Sequence, residues 1–486
     1  MVNRLKKYTF LCFVLSISSC GINIPLFPTS PSATIDLRAY PPKMCGLSAG
    51  YSLSQLIPID LNHDGRLDLL VSLWCTTVAN NAVSSEPVVS YLLAFLQDQN
   101  GNFIENTKLI FGNEIVDIGA GTSQGYMISD FNSDGYEDVV IVTNREDGRS
   151  AESNSRLSRN YIIFGGAKGY TASPFGEMNY ASSILPVDNE FGKQDFIVPG
   201  FANSPLRYSY ISNSWVTKGY DFVNGTGAAI FFSRSSPNSG STFAIAETQD
   251  ANGTFGLTAW NNISGDWLKG GSVSYPTTYV RKIDNNVVSG NTQMINLNGK
   301  NYAFPSFSLN CLMKRTPQGT QEAIFNLNAR LLLVDYVGQA FSFEDAGQLM
   351  EYDQLLSFSK GNGGIQGNAL SYSPELPKKL VPNSMFCNDL NGDGYADIYF
   401  GRGVREQSTI PVVYLNDQRG NFRGLKNYVF PQVDMSGAIW NYLFKDMNGD
   451  GVADLIYFTI FSSGDSSPRF MIFYGKRNMG EVDFQN

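Results

Sequence analysis

Four segments of the chain repeat one pattern, D-x-N-x-D-G-x-x-D. They are Asp60-Leu-Asn62-His-Asp64-Gly65-Arg66-Leu-Asp68, Asp130-Phe-Asn132-Ser-Asp134-Gly135-Tyr136-Glu-Asp138, Asp389-Leu-Asn391-Gly-Asp393-Gly394-Tyr395-Ala-Asp397 and Asp446-Met-Asn448-Gly-Asp450-Gly451-Val452-Ala-Asp454. Oxygen side chains at positions 1, 3 and 5 can turn inward around a tight loop. Such a set suits Ca²⁺, a hard cation that takes about 6–8 oxygens in flexible geometry. Glycine at position 6 permits a sharp turn, often at positive φ. Position 7 offers its backbone carbonyl, so its side chain is free to vary: Arg66, Tyr136, Tyr395 and Val452. The aspartate at position 9 closes the shell. Oxygen-only ligands favour Ca²⁺ over Zn²⁺ or Cu²⁺, and Mg²⁺ is disfavoured by its reluctance to shed water. About four Ca²⁺ are expected, one per loop. Plain acidic turns would have no reason to keep three Asp, one Asn and one Gly at fixed positions in four copies.

The loops resemble the first half of an EF-hand, but the last ligand comes three residues early and is Asp rather than Glu. An EF-hand also exits into a helix. Here the exits are Leu69–Leu73, Val139–Val142, Ile398–Phe400 and Leu455–Phe458, short β-branched and aromatic runs that predict buried strands. A second apolar strand follows each loop at a distance and runs into a glycine turn. Tyr91–Leu96 leads to Gly101, Tyr161–Phe164 to Gly165, Val412–Leu415 to Gly420, and Phe470–Phe473 to Gly475.

Loop, strand and glycine–aromatic turn together resemble the FG-GAP (or VCBS) repeat of integrin α-subunit head domains and exported bacterial proteins. The resemblance implies an all-β fold, a β-propeller of usually seven blades with calcium-binding loops. Loops one and two start 70 residues apart and loops three and four 57 apart, while 259 residues separate Asp130 from Asp389. That gap leaves room for three cryptic blades and a total of seven, with six or eight left open. Candidates are Val187–Val198, which keeps Gly192 and a closing Asp195 but has Phe191 at the central ligand position, and Asn296–Phe304, which has no carboxylate. The strands of a third lie near Ala228–Phe232, Phe243–Ala246 and Leu257–Trp260. No metal is assigned to this middle region.

Composition agrees with short strands and tight turns. Of 486 residues 43% are hydrophobic, with Gly 47, Tyr 25 and Phe 33, and only 16% are charged. The net charge of -9 argues against nucleic acid as a partner. The single histidine, His63, sits between loop ligands; it excludes any site with two His ligands and should be replaceable by the Ser or Gly found there in the other loops.

Residues 1–19 read as a lipoprotein signal peptide: Arg4, Lys6 and Lys7, a short apolar run from Tyr8 to Ser16, then Ile17-Ser-Ser-Cys20. The apolar run is too short to span a bilayer. The sequence before Cys20 resembles a bacterial lipobox, which implies cleavage before Cys20 and lipidation of its thiol. Residues 20–44 form the lipidated Cys and a Pro-rich tether, from which Ala33–Leu37 is a candidate strand for the following domain, and 45–486 the propeller. The expected location is the cell envelope, by analogy the outer membrane, with lipid as the only anchor. Cleavage leaves 32 basic against 44 acidic residues, a charge of -12 that four Ca²⁺ would bring to -4. Cys45 with Cys75 is the preferred disulfide, and free thiols are the alternative.

The leading functional expectation is a non-enzymatic binding or adhesion module for a protein or glycan ligand at the cell surface. A metal shell filled by protein oxygens is structural, whereas catalysis needs an open position. The alternative is a calcium-assisted polysaccharide lyase or a glycosidase, with Glu247, Glu322, Glu344 and Glu351 as carboxylates outside the loops. A structural member of an envelope complex is a third reading. Trp215, Trp260, Trp267 and Trp440 read as core residues before sugar platforms.

Overall fold

The computed structural model describes residues 24–25, 27–28, 30–37, 40, 49–79, 82–83, 89–119, 122–144, 158–179, 184–188, 194–198, 206–219, 230–234, 242–249, 255–263, 266–274, 293–297, 300–304, 310–315, 320–337, 340–359, 370–372, 384–388, 390, 397–401, 412–416, 422–424, 428–429, 431, 438–462 and 469–475. The leader, Cys20, Cys45 and most of the third loop (Asp389, Asn391, Asp393 and Tyr395) lie outside them. Among the described residues the structure is β throughout, apart from the short helix Thr107–Phe111. No helix there is long and apolar enough to cross a membrane.

Seven antiparallel sheets of four or more strands succeed one another along the described chain. The first is built on Ala49–Ile59, Asp68–Ala79, Val89–Gln97 and Phe103–Glu105. The second contains Thr122–Ser129, Asp138–Asn144, Ser158–Phe164 and Thr171–Asn179. The third contains Leu185–Asp188, Gln194–Val198, Leu206–Ile211 and Ser214–Gly219. The fourth runs from Ile230–Arg234 to Asp266–Ser274, and the fifth is built around a long hairpin, Thr320–Val337 with Ala340–Ser359. The sixth contains Ser384–Asn388, Asp397–Gly401, Val412–Asn416 and Phe422–Gly424. The seventh joins Ala438–Lys445, Asp454–Ser462 and Arg469–Phe473 to Ala33–Asp36, a strand from the other end of the chain. The three metal-free repeat candidates fall in the third, fourth and fifth sheets.

Strand periodicity explains why the runs after the loops are apolar without alternation. Successive side chains point to opposite faces of a sheet. Leu69, Val71 and Leu73 enter a core shared with Ile456, Phe458, Phe470 and Ile472 of the seventh sheet. Leu70, between them, enters a core shared with Val139 and Ile141 of the second sheet. Val140 and Val142 then face Phe196, Val198 and Tyr208 of the third. Both faces are therefore buried, and a polar residue on either would lose its water. The contacts continue around the molecule: each sheet touches the next, and Asp454–Ser462 of the seventh touches Ala49–Ile59 of the first.

One joint between the first and seventh sheets is polar. The Gln97 side chain donates to Tyr474 Oη at 3.2 Å, and that hydroxyl donates to the Gly101 carbonyl at 3.2 Å. Cys75 is buried and disulfide-bonded. Trp260 is buried, and Trp215 is stacked on Phe175 at 4.8 Å within an aromatic cluster that includes Phe131 and Phe196. Both are packing residues.

Candidate metal centres

Each repeat loop joins the first strand of its sheet to the second. The first follows Ala49–Ile59, the second Thr122–Ser129, the third Ser384–Asn388 and the fourth Ala438–Lys445. The described loops, one, two and four, share one geometry. The position-5 N–H donates to the position-1 carboxylate and to the position-3 side-chain oxygen: Asp64 to Asp60 and Asn62 at 3.1 Å each, Asp134 to Asp130 at 3.1 Å and Asn132 at 3.0 Å, Asp450 to Asp446 at 3.2 Å and Asn448 at 3.0 Å. The glycine N–H at position 6 donates to the other position-1 oxygen at 2.8–2.9 Å. Gly65, Gly135 and Gly451 have φ of +84°, +90° and +84°, which is why position 6 is glycine. Position 4 is also left-handed, at His63 (60°), Ser133 (62°) and Gly449 (73°). The glycine of loop four suits that conformation; His63 occupies it with its ring 4.6 Å from that of Tyr136 on the second loop.

Position 9 has a role in the fold itself. Asp68, Asp138 and Asp454 are fully buried. One oxygen of each accepts the N–H of loop position 2, from Leu61 at 2.8 Å, Phe131 at 2.9 Å and Met447 at 2.7 Å. The other accepts an N–H at the end of the third strand, from Gln97 at 2.7 Å, Gly165 at 2.8 Å and Gly475 at 2.8 Å. This carboxylate thus fastens the loop to the glycine turn of the same sheet. The close approach accounts for the glycine. A Cβ at Gly165 would stand 2.5 Å from the Glu137 carbonyl oxygen, and one at Gly475 the same distance from that of Ala453.

Burial outweighs these hydrogen bonds and pushes the three carboxyls up, to about 6 for Asp68 and Asp138 and about 7 for Asp454. Nearby loop carboxylates push the same way: Asp64 and Asp60 on Asp68, Asp134 on Asp138, Asp446 and Asp450 on Asp454.

Sequence reasoning missed position 2. Leu61, Phe131, Leu390 and Met447 are all buried, and Leu61, Phe131 and Met447 anchor their loops in the hydrophobic cores. The signal was present, since all four copies carry a large apolar residue there. It also missed the partner of Asp195. The strands Leu185–Asp188 and Gln194–Val198 pair Val187 with Asp195. Asp195 instead accepts from Arg207 Nε at 2.8 Å and Nη2, and from the Ser209 hydroxyl at 2.7 Å.

The donor set fits a hard cation. In each described loop, oxygens of positions 1, 3 and 5 lie together on a loop whose positions 3 to 6 are largely exposed, and no nitrogen or sulfur ligand is among them. Among the described residues no three His, Cys, Asp or Glu side chains are grouped closely enough to hold a metal ion by themselves. The loop oxygens are turned instead onto the loop's own N–H groups. For the glycosidase reading, Glu322 and Glu351 sit on paired strands, opposite Ser357 and Asn328. That register puts them six residues apart, roughly 20 Å at ~3.4 Å per residue, whereas glycosidase carboxyls stand about 5–9.5 Å apart.

No curated protein matches the chain. Solved structures similar to it include the exotype rhamnogalacturonan lyase YesX (12% identity, 87% of this chain and 72% of that one, TM-score 0.39). Rhamnogalacturonan lyase YesW (14%, 92% and 75%, 0.36) and a rhamnogalacturonan lyase of Bacillus licheniformis (13%, 92% and 74%, 0.36) are two others. At these TM-scores the likenesses bear on neither fold nor function. A family model does match part of the sequence, over the third loop, its sheet and the fourth loop: residues 389–457 are an FG-GAP-like repeat.

Proposed function

We propose that the chain is a calcium-stabilised, seven-bladed β-propeller lipoprotein of the bacterial cell envelope. It acts there as a non-enzymatic binding or adhesion module for a protein or glycan ligand. Seven successive sheets supply the blades, and the shared core of the first and seventh supports a closed ring. Pairing of Ala33–Asp36 with Arg469–Phe473 supports it further, because the two ends of the chain then share one blade. Blades bury their faces only against neighbours, so closure matters to all of them.

The observation that carries the calcium reading is the same exposed oxygen loop at the same place in three described sheets. Asp60, Asn62, Asp64 and Asp68 would hold one ion, Asp130, Asn132, Asp134 and Asp138 a second, and Asp446, Asn448, Asp450 and Asp454 a third. Asp389, Asn391, Asp393 and Asp397 carry the same pattern for a fourth. Bound Ca²⁺ would cancel the mutual repulsion of these carboxylates and fix the loop, a structural rather than a catalytic contribution. The lipid anchor at Cys20 rests on the sequence before it, and several acyl chains on that residue would hold the protein stably at the membrane.

A glycan array and a pull-down on the mature protein, each with and without Ca²⁺, test the reading. Saturable retention of one ligand class, weakened by chelator, is expected. Release of unsaturated or newly reducing sugars from a polysaccharide would instead favour the lyase or glycosidase. Cys20→Ala should release the protein from membranes, and full retention would contradict the anchor.

A further inference from the structure

The three described loops differ at one position that the sequence pattern leaves free. At position 7 the second and fourth loops carry Tyr136 and Val452, and the first carries Arg66. All three share the backbone contact of that residue: its N–H donates to the position-5 carboxylate, at 3.0 Å for Arg66, 2.9 Å for Tyr136 and 2.8 Å for Val452. Only Arg66 adds a side-chain charge. Its Nη2 pairs with Asp64 Oδ2, the oxygen that also accepts from the Asn62 side chain at 3.0 Å. Its Nε donates to the Gln97 carbonyl at 3.2 Å. That second bond holds the guanidinium over the loop, on the residue whose N–H is already fastened to Asp68. The third sheet offers a parallel: its sequence between the first two strands lacks the D-x-N-x-D-G pattern, and Arg207 meets the buried Asp195 directly.

We propose that Arg66 is a built-in counter-cation that makes the first loop the weakest calcium site of the three. The inference rests on the calcium reading above. A guanidinium on Asp64 supplies part of the charge that a metal would bring, and the metal must displace it or share the carboxylate with it. The pair is partly exposed, with side-chain exposures of 40% and 26%, so its effect is that of a surface pair. This corresponds to about 1.5- to fivefold in affinity. Among the described residues nothing of this kind stands on Asp134 or Asp450 in the second and fourth loops, which would leave the whole charge to calcium.

Calorimetric titration of chelator-stripped, full mature chain with CaCl2 tests this on four proteins: the parent, Arg66→Gln, Tyr136→Arg and Asp64→Ala. Arg66→Gln should strengthen one weak binding step about 1.5- to fivefold and leave the others in place. Asp64→Ala should abolish that same step, which assigns it to the first loop. Tyr136→Arg should weaken one of the tighter steps by a similar factor. An unchanged Arg66→Gln isotherm in a protein that binds calcium normally overturns the inference alone. Absence of calcium uptake in every protein overturns the calcium reading and this inference with it.

Discussion

The second and third sheets bury an aspartate at the same point, the start of the second strand, and keep it there by different means. Asp138 is held by two backbone N–H groups, one from its own loop and one from Gly165. Asp195 is held by a guanidinium and a hydroxyl. In the second sheet the charge is left on the protein, with Asp134 pressing on it. In the third, Arg207 cancels it within the fold. A buried carboxylate must be paired or hydrogen-bonded. The difference teaches that the closing aspartate serves the sheet first. The exposed oxygen loop is an addition to that role as a latch, and the third sheet keeps a buried closing aspartate although its sequence lacks the loop pattern.

Breaking the latch should have the largest effect. Asp138→Ala orphans two buried N–H groups and should cost about 3–5 kcal/mol in chemical unfolding, with chelator present throughout. Arg207→Ala leaves Asp195 buried with less compensation. Because Arg207 is partly exposed, about 2–4 kcal/mol is expected, independent of calcium. Next comes Gly165→Ala. Its Cβ meets the Glu137 carbonyl at 2.5 Å, so strand and loop must part, for about 1–3 kcal/mol by the same measurement. Asp134→Ala sharpens the comparison from the other side. It removes an exposed side chain, so the chelated protein should change by less than about 1 kcal/mol. Its calcium-induced gain in unfolding free energy should fall by one site's share, about 2.7 kcal/mol at 100-fold excess over Kd. If Asp134→Ala and Asp138→Ala behaved alike in chelator, the division between latch and metal loop would be wrong.

What the sequence made legible follows from how local each signal is. The four loops could be recognised as repeats because their oxygen side chains and turn glycines fall within nine consecutive residues. The strands after them could be read because Leu69–Leu73 and Val139–Val142 are apolar on both faces. The pairing of Ala33–Asp36 with the last sheet was visible only as a candidate, since nothing in a short tether strand names a partner more than 400 residues away. Asp195 was recognised as a closing residue, but Arg207 was not, because their contact depends on the register of a hairpin that sets Phe196 opposite Tyr208. The second role of Asp68, Asp138 and Asp454 was hidden for the same reason: their partners Gln97, Gly165 and Gly475 lie 21–29 residues further on and reach them only once the third strand is laid down.

The central claim is that exposed oxygen loops on these sheets are calcium sites. The most direct measurement is calorimetric titration of the chelator-stripped mature protein, with a thermal melt at each end. The account predicts uptake of about four Ca²⁺ and a higher melting temperature in calcium than in chelator. No uptake and no thermal shift at millimolar Ca²⁺ would contradict it.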